Sequence, residues 1–157
     1  MKKVGCLFAL LLGVPLLQAA ELNKSAPTFP ALADDKGKIV FINFWASWCA
    51  PCQIELPFLR QLAEDYKGRK VKVLAINVDE NRQAARKLLK KLGLTNSRME
   101  IVWDRKSKIV RTYNIDTMPS SFILDSRGVI RYIHSGFHEH DPQAWRQEID
   151  HLRGSSR

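Results

Sequence analysis

Trp48-Cys49-Ala50-Pro51-Cys52 closely follows the apolar run Ile39-Val40-Phe41-Ile42-Asn43-Phe44-Trp45, and together they read as a strand delivering two cysteines to the start of a helix. Two intervening residues put both sulfurs on one helical turn, within disulfide reach of each other. The unpaired N–H groups and partial positive charge of a helix N-terminus favour a thiolate there. A cysteine in that setting is a nucleophile able to exchange disulfides at neutral pH. On these residues alone the pair supports thiol chemistry or two of the four ligands that a structural metal site wants.

Outward from this stretch, strand and helix signals alternate. The intervals 39–45, 71–78 and 101–103 read as strands, and 51–66, 80–92 and 106–113 as helices, with Gly93 stopping the second. Within 51–66 the apolar stripe comprises Ile54, Leu56, Phe58, Leu59, Leu62 and Ala63. The intervals 121–125 and 129–134 flank Ser126-Arg127-Gly128 and read as a hairpin. A last helix covers 142–152, with Asp141 as its expected N-cap. Residues 21–37 contain Pro27, Pro30 and Gly37 and read as an irregular lead-in, which leaves 38–157 as one domain. Strand, helix, strand, helix, hairpin and helix in that order make an α/β sandwich around a mixed sheet.

The chain has 157 residues, room for one ordinary domain, with 45% hydrophobic and 26% charged residues. Its start differs from the rest: Lys2 and Lys3, then an apolar run from Val4 to Leu17, then Gln18-Ala19-Ala20. That order is a secretory signal over 1–20, with an uncleaved anchor as the alternative. Removing it takes Cys6 and leaves Cys49 and Cys52 as the sole pair. Exported proteins stapled by disulfides carry several long-range bridges, whereas one pair closing a tiny loop adds little stability, so the bridge reads as chemical. The net charge is +9, much of it on Arg82, Arg86, Lys87, Lys90 and Lys91 at helical spacing. This reads as a solvated helix face, with attraction to an anionic membrane surface or acidic partner as the sharper alternative. Nothing in it matches a nucleic-acid motif.

Two distant motifs carry a resemblance. Phe44-Trp45-Ala46-Ser47-Trp48-Cys49-Ala50-Pro51-Cys52, followed by Glu55 and Pro57, resembles the thioredoxin superfamily, and within it the TlpA/ResA-type extracytoplasmic thiol–disulfide oxidoreductases. Thr117-Met118-Pro119-Ser120-Ser121-Phe122-Ile123-Leu124-Asp125 resembles the same family's second signature, a cis-proline loop before a strand. Asn43 stands where cytoplasmic thioredoxins keep a buried aspartate, as is usual in this group. The likeness runs from about Ala26 to the C-terminus. It departs in one place: only Pro30 to Lys36 separates Ala26-Pro27-Thr28-Phe29 from Gly37-Lys38, where relatives have a longer segment with an N-terminal hairpin.

The resemblance implies a thioredoxin-like fold, its central mixed β-sheet flanked by helices on both faces, and a protein-disulfide reductase. Cys49 would attack and Cys52 would resolve the mixed disulfide, while Glu55, three residues on, would exchange the proton of the buried cysteine. A carboxyl held beside apolar residues would have the raised pKa that such a role needs. Met118 would offer backbone groups to an extended peptide beside Pro119, and Trp48 would shape the exposed rim. Pro51 before Cys52 resembles the reducing members, so an exported oxidant is the less favoured direction. No cofactor and a monomer are expected, and the ligand count argues against a resident metal. The signal-like start implies a periplasmic or otherwise extracytoplasmic location, with membrane anchoring if it is not cleaved, and an inner-membrane thiol electron donor of the DsbD/CcdA type is the expected partner. Clients are proteins with disulfides or cysteine pairs, and apocytochrome c, copper-site cysteines and general repair all remain open. The competing binding-class reading is a copper chaperone using Cys49, Cys52 and a histidine such as His134 or His138; peroxide reduction fits less well.

Overall fold

The computed structural model describes residues 19–155. The leader and Cys6 therefore lie outside the described range, apart from the last two residues of 1–20. The chain forms α1 (Pro30–Ala33), β1 (Ile39–Trp45), α2 (Ala50–Asp65), β2 (Val71–Asn77) and α3 (Arg82–Lys91). β3 (Glu100–Trp103), α4 (Lys108–Tyr113), β4 (Ser120–Leu124), β5 (Ile130–Ser135) and α5 (Asp141–Gly154) follow.

The five strands form one sheet in the order β3-β2-β1-β4-β5. β1 pairs parallel with β2, and β2 parallel with β3; β4 lies antiparallel to β1, and β5 antiparallel to β4. β1 is central, and all seven of its residues are buried. Both of its faces are covered, which is why it reads as a continuous apolar run and not as an alternating one.

Two apolar cores lie on opposite faces. Phe41 and Trp45 of β1 point to the face that packs Leu56, Leu59 and Leu62 of α2, Leu88 and Leu89 of α3, and Trp145 and Ile149 of α5. Val40, Ile42 and Phe44 point the other way, onto Tyr113 of α4, Phe122 and Phe29. α2 and α3 share a face because both crossovers step in the same direction along the sheet and both are right-handed. Helices thus flank a mixed sheet on both faces, the thioredoxin-like architecture.

The lead-in is more ordered than its prolines suggest. α1 begins at Pro30, whose missing N–H costs nothing at a helix start. Ser25 bridges antiparallel to Val129, and the Tyr113 hydroxyl donates to the Pro27 carbonyl at 2.8 Å. Two sequence expectations need correcting. Ile54 and Phe58 are 61% and 41% exposed. The buried face of α2 is Cys52, Glu55, Leu56, Leu59, Leu62 and Ala63, and positions two residues from this row turn about 200° away from it. Asp141 is the first helical residue of α5 and not its N-cap; that position is His140, and the Asp141 carboxylate reaches back to accept the His138 N–H at 2.7 Å.

Candidate functional site

β1 ends at Trp45, and the short loop Ala46-Ser47-Trp48 turns the chain into α2. Buried Asp79, just beyond β2, holds this loop. Its carboxylate accepts the Ser47 N–H and hydroxyl, both at 2.9 Å, and the Asn77 side-chain amide at 2.7 Å. Gln53 on the first turns of α2 donates to the Ser47 carbonyl at 2.8 Å. Trp48 stands at the rim, 68% exposed, while Trp45 is fully buried as packing.

Cys49 is the N-cap of α2 and is bonded to Cys52, with an S–S distance of 2.02 Å and Cα atoms 5.3 Å apart. The Cys49 sulfur also accepts the Cys52 N–H at 3.3 Å, the place where a side-chain oxygen caps other helices. A thiolate formed there is stabilised by the same N–H and by the helix dipole. Cys49 is 6% exposed and Cys52 fully buried, so the outer sulfur of the pair is Cys49. Pro51 occupies the first turn of α2 without the loss of a helical bond.

One turn beyond Cys52, Glu55 is completely buried. It accepts the Asn43 side-chain amide at 2.8 Å, and the Ser121 hydroxyl lies 3.0 Å from that amide and 3.5 Å from the carboxyl. Asn43 and Ser121 are register partners on β1 and β4. Burial pushes the Glu55 carboxyl up to about 8, with the Asp141 carboxylate adding in the same direction and the bonds from Asn43 and Ser121 opposing it. The group is a neutral acid at neutral pH, able to give or take a proton inside the core.

The Met118–Pro119 peptide is cis, in the loop leading into β4. The Ser120 hydroxyl donates to the Thr117 carbonyl at 2.7 Å, and the Gly136 N–H to the Pro119 carbonyl at 2.8 Å, so the loop is tied on both sides. Half-buried Met118 packs on the core cluster that contains Cys49 and Cys52. Of the histidines, His134, the register partner of Ser121, bonds Glu148 at 2.8 Å, and His138 faces Asp141 at 3.4 Å. Among the described residues no three His, Cys, Asp or Glu side chains group as metal ligands. Sequence reading missed Ser121, Asp79 and Ser47. Ser121 meets Glu55 through strand register, and Asp79 meets Ser47 across 32 positions, so no local pattern marks either.

Fold and site together define a thioredoxin-fold protein with its cysteine pair on the first turn of the helix after the central strand. More particularly, the chain belongs to the AhpC/TSA family, whose family model matches residues 18–133. It is 38% identical over 105 residues to the thiol-disulfide oxidoreductase ResA of Geobacillus kaustophilus, covering 67% of this chain and 59% of that one. Among solved structures it is similar to a Chlorobium tepidum protein assigned as a thiol:disulfide interchange protein DsbE, at 30% identity and TM-score 0.78, covering 86% of this chain and 99% of that one. It is also similar to StoA of Bacillus subtilis, at 30% identity and TM-score 0.62, covering 71% and 82%. No helix among the described residues is long and apolar enough to cross a membrane.

Proposed function

We propose that the chain is an exported thiol–disulfide oxidoreductase that reduces disulfides in client proteins. The observation that carries this reading is the arrangement at the start of α2, with Cys49 as the outer sulfur, Cys52 buried behind it and Glu55 buried one turn on. The names of the Geobacillus kaustophilus and Chlorobium tepidum relatives support the same chemistry. The Cys49 thiolate attacks one sulfur of the client disulfide, forming a mixed disulfide and releasing the other client sulfur as a thiolate. Cys52 then attacks the Cys49 sulfur, closing the Cys49–Cys52 bond and releasing the second client thiolate. The client gains two electrons and the pair loses two. The minority ionised form of Glu55 takes the Cys52 proton, and a pKa of about 8 in the disulfide form leaves the carboxyl protonated at neutral pH once the bond has closed. In this reading Trp48 and the backbone of Met118 beside Pro119 seat the client, and an inner-membrane thiol donor of the DsbD/CcdA type restores the dithiol outside the cytoplasm. The leader over 1–20 is the export signal, and 38–157 is the working domain.

Trapping tests it. The reduced Cys52→Ser variant, mixed with disulfide-bearing extracytoplasmic proteins, should accumulate mixed disulfides through Cys49 that Cys49→Ser abolishes. A Cys52→Ser variant that captures nothing would sink the reading.

A further inference from the structure

A groove of about 420 Å³ opens between α3 and β3, away from the cysteine pair. Leu89, Leu94, Met99 and Ile101 form its floor, Trp103 one wall, and Arg86 and Lys90 its rim. The guanidinium carbons of Arg82 and Arg86 lie 5.2 and 5.8 Å from the Trp103 ring centroid, so the wall is itself positively charged. α3 holds Arg82, Arg86, Lys87, Lys90 and Lys91 and no acidic residue, and none of these cations is ion-paired among the described residues. β3 is an edge strand with its outer side unpaired among the described residues, so it offers free backbone groups. Trp103 also sits in register with Asn77 and, through it, with Trp45, only two strand spacings, about 10 Å, from the residue that leads into the cysteine loop.

We infer that this groove receives an acidic, extended segment of the client that flanks its disulfide, with one apolar side chain on the groove floor and carboxylates against Arg86 and Lys90. The inference rests on the reductase reading above. A peptide fits better than a lipid surface for two reasons. The site is a concave pocket of side-chain size and not a flat face, and the strand edge beside it can pair with a backbone. Unpaired cations on a rim around an apolar floor select an acidic flank over a basic one.

Two synthetic peptides test this, each closed by one cysteine disulfide, one flanked by Asp-Asp-Leu-Asp and the other by Lys-Lys-Leu-Lys. In single-turnover reduction at low ionic strength, the full reduced chain should reduce the acidic peptide roughly fivefold faster. Arg86→Glu with Lys90→Glu should erase the preference. Arg60→Glu with Lys67→Glu, the same charge change on exposed positions elsewhere, should keep most of it. Equal rates for the two peptides, or equal loss in both variants, would overturn the inference while leaving the reductase intact. Reduction of neither peptide would instead overturn the reductase reading. Docking is then read separately, by fluorescence anisotropy of a cysteine-free acidic peptide on the oxidised chain. Binding that Arg86→Glu with Lys90→Glu weakens supports the groove; no binding, or binding only to phosphatidylglycerol vesicles, removes it.

Discussion

Glu55 is the residue at which burial most changes chemistry. The unfolded chain ionises it near its ordinary 4.5, while the folded, oxidised chain holds the proton to about 8. Between those values only the folded form carries that proton, so its contribution is fully present below 4.5, falls as pH rises and is lost above 8. The slope contributed is at most about 1.4 kcal/mol per pH unit. Urea unfolding of the oxidised chain at about pH 5.5 and 7.5 should therefore show wild type losing roughly 2 kcal/mol more than Glu55→Gln. Equal losses would mean that Glu55 does not hold its proton in the fold. The residue's place on the Cys52 face was legible from a spacing of three. Its partners were only half legible: Asn43 lies on the strand already read, whereas Ser121 is 66 residues from Glu55 and comes near it only once β4 pairs with β1.

At the scale of elements, the cysteine loop is fixed by a strand that carries no cysteine. Asp79 follows β2 and gathers three donors from Ser47 and Asn77, so the ends of β1 and β2 are tied at one carboxylate. Asp79→Ala leaves the buried Asn77 amide and the half-buried Ser47 donors without an acceptor and should cost roughly 2–3 kcal/mol in urea unfolding, against about 1 kcal/mol for Ser47→Ala. Similar losses for the two would show that the carboxylate is not the tie. The central strand and α2 were readable because an unbroken apolar run and a 3.6-residue period are local signals. The same period misassigned Ile54 and Phe58, since an apolar residue on the outer side of a helix has the composition of core. The Phe58 ring lies 5.6 Å from Phe137, so this apolar side chain finds an aromatic partner outside the core. The α3–β3 groove was invisible in sequence because β3 has only four residues, too few to carry a period.

For the whole molecule, closing the Cys49–Cys52 bond and folding are linked. If the chain is a reductant, the disulfide form is the more stable fold, since a strong oxidant is one whose reduced form is stabilised. Loop-closure entropy for so small a ring sets the scale at about 2 kcal/mol. The oxidised chain should thus unfold at higher urea than the dithiol chain, and the reverse order would mark an oxidant. The direction of electron flow was the faintest signal in the sequence, resting on Pro51 alone. It depends on a free-energy difference between two states of the entire fold, which no single residue encodes. The overall architecture was far more legible, because alternating strand and helix signals restrict topology through short, right-handed connections.

The asymmetry of burial across the pair also sets its traffic. Cys52 is sealed, so under the reductase reading proposed above both the client and the agent that resets the dithiol would use the Cys49 sulfur. The two substrates of that reading would take turns at one doorway and never form a ternary complex. Initial-rate kinetics with both substrates varied should then give the parallel double-reciprocal lines of a ping-pong course, and intersecting lines would show that the two do not share the Cys49 sulfur.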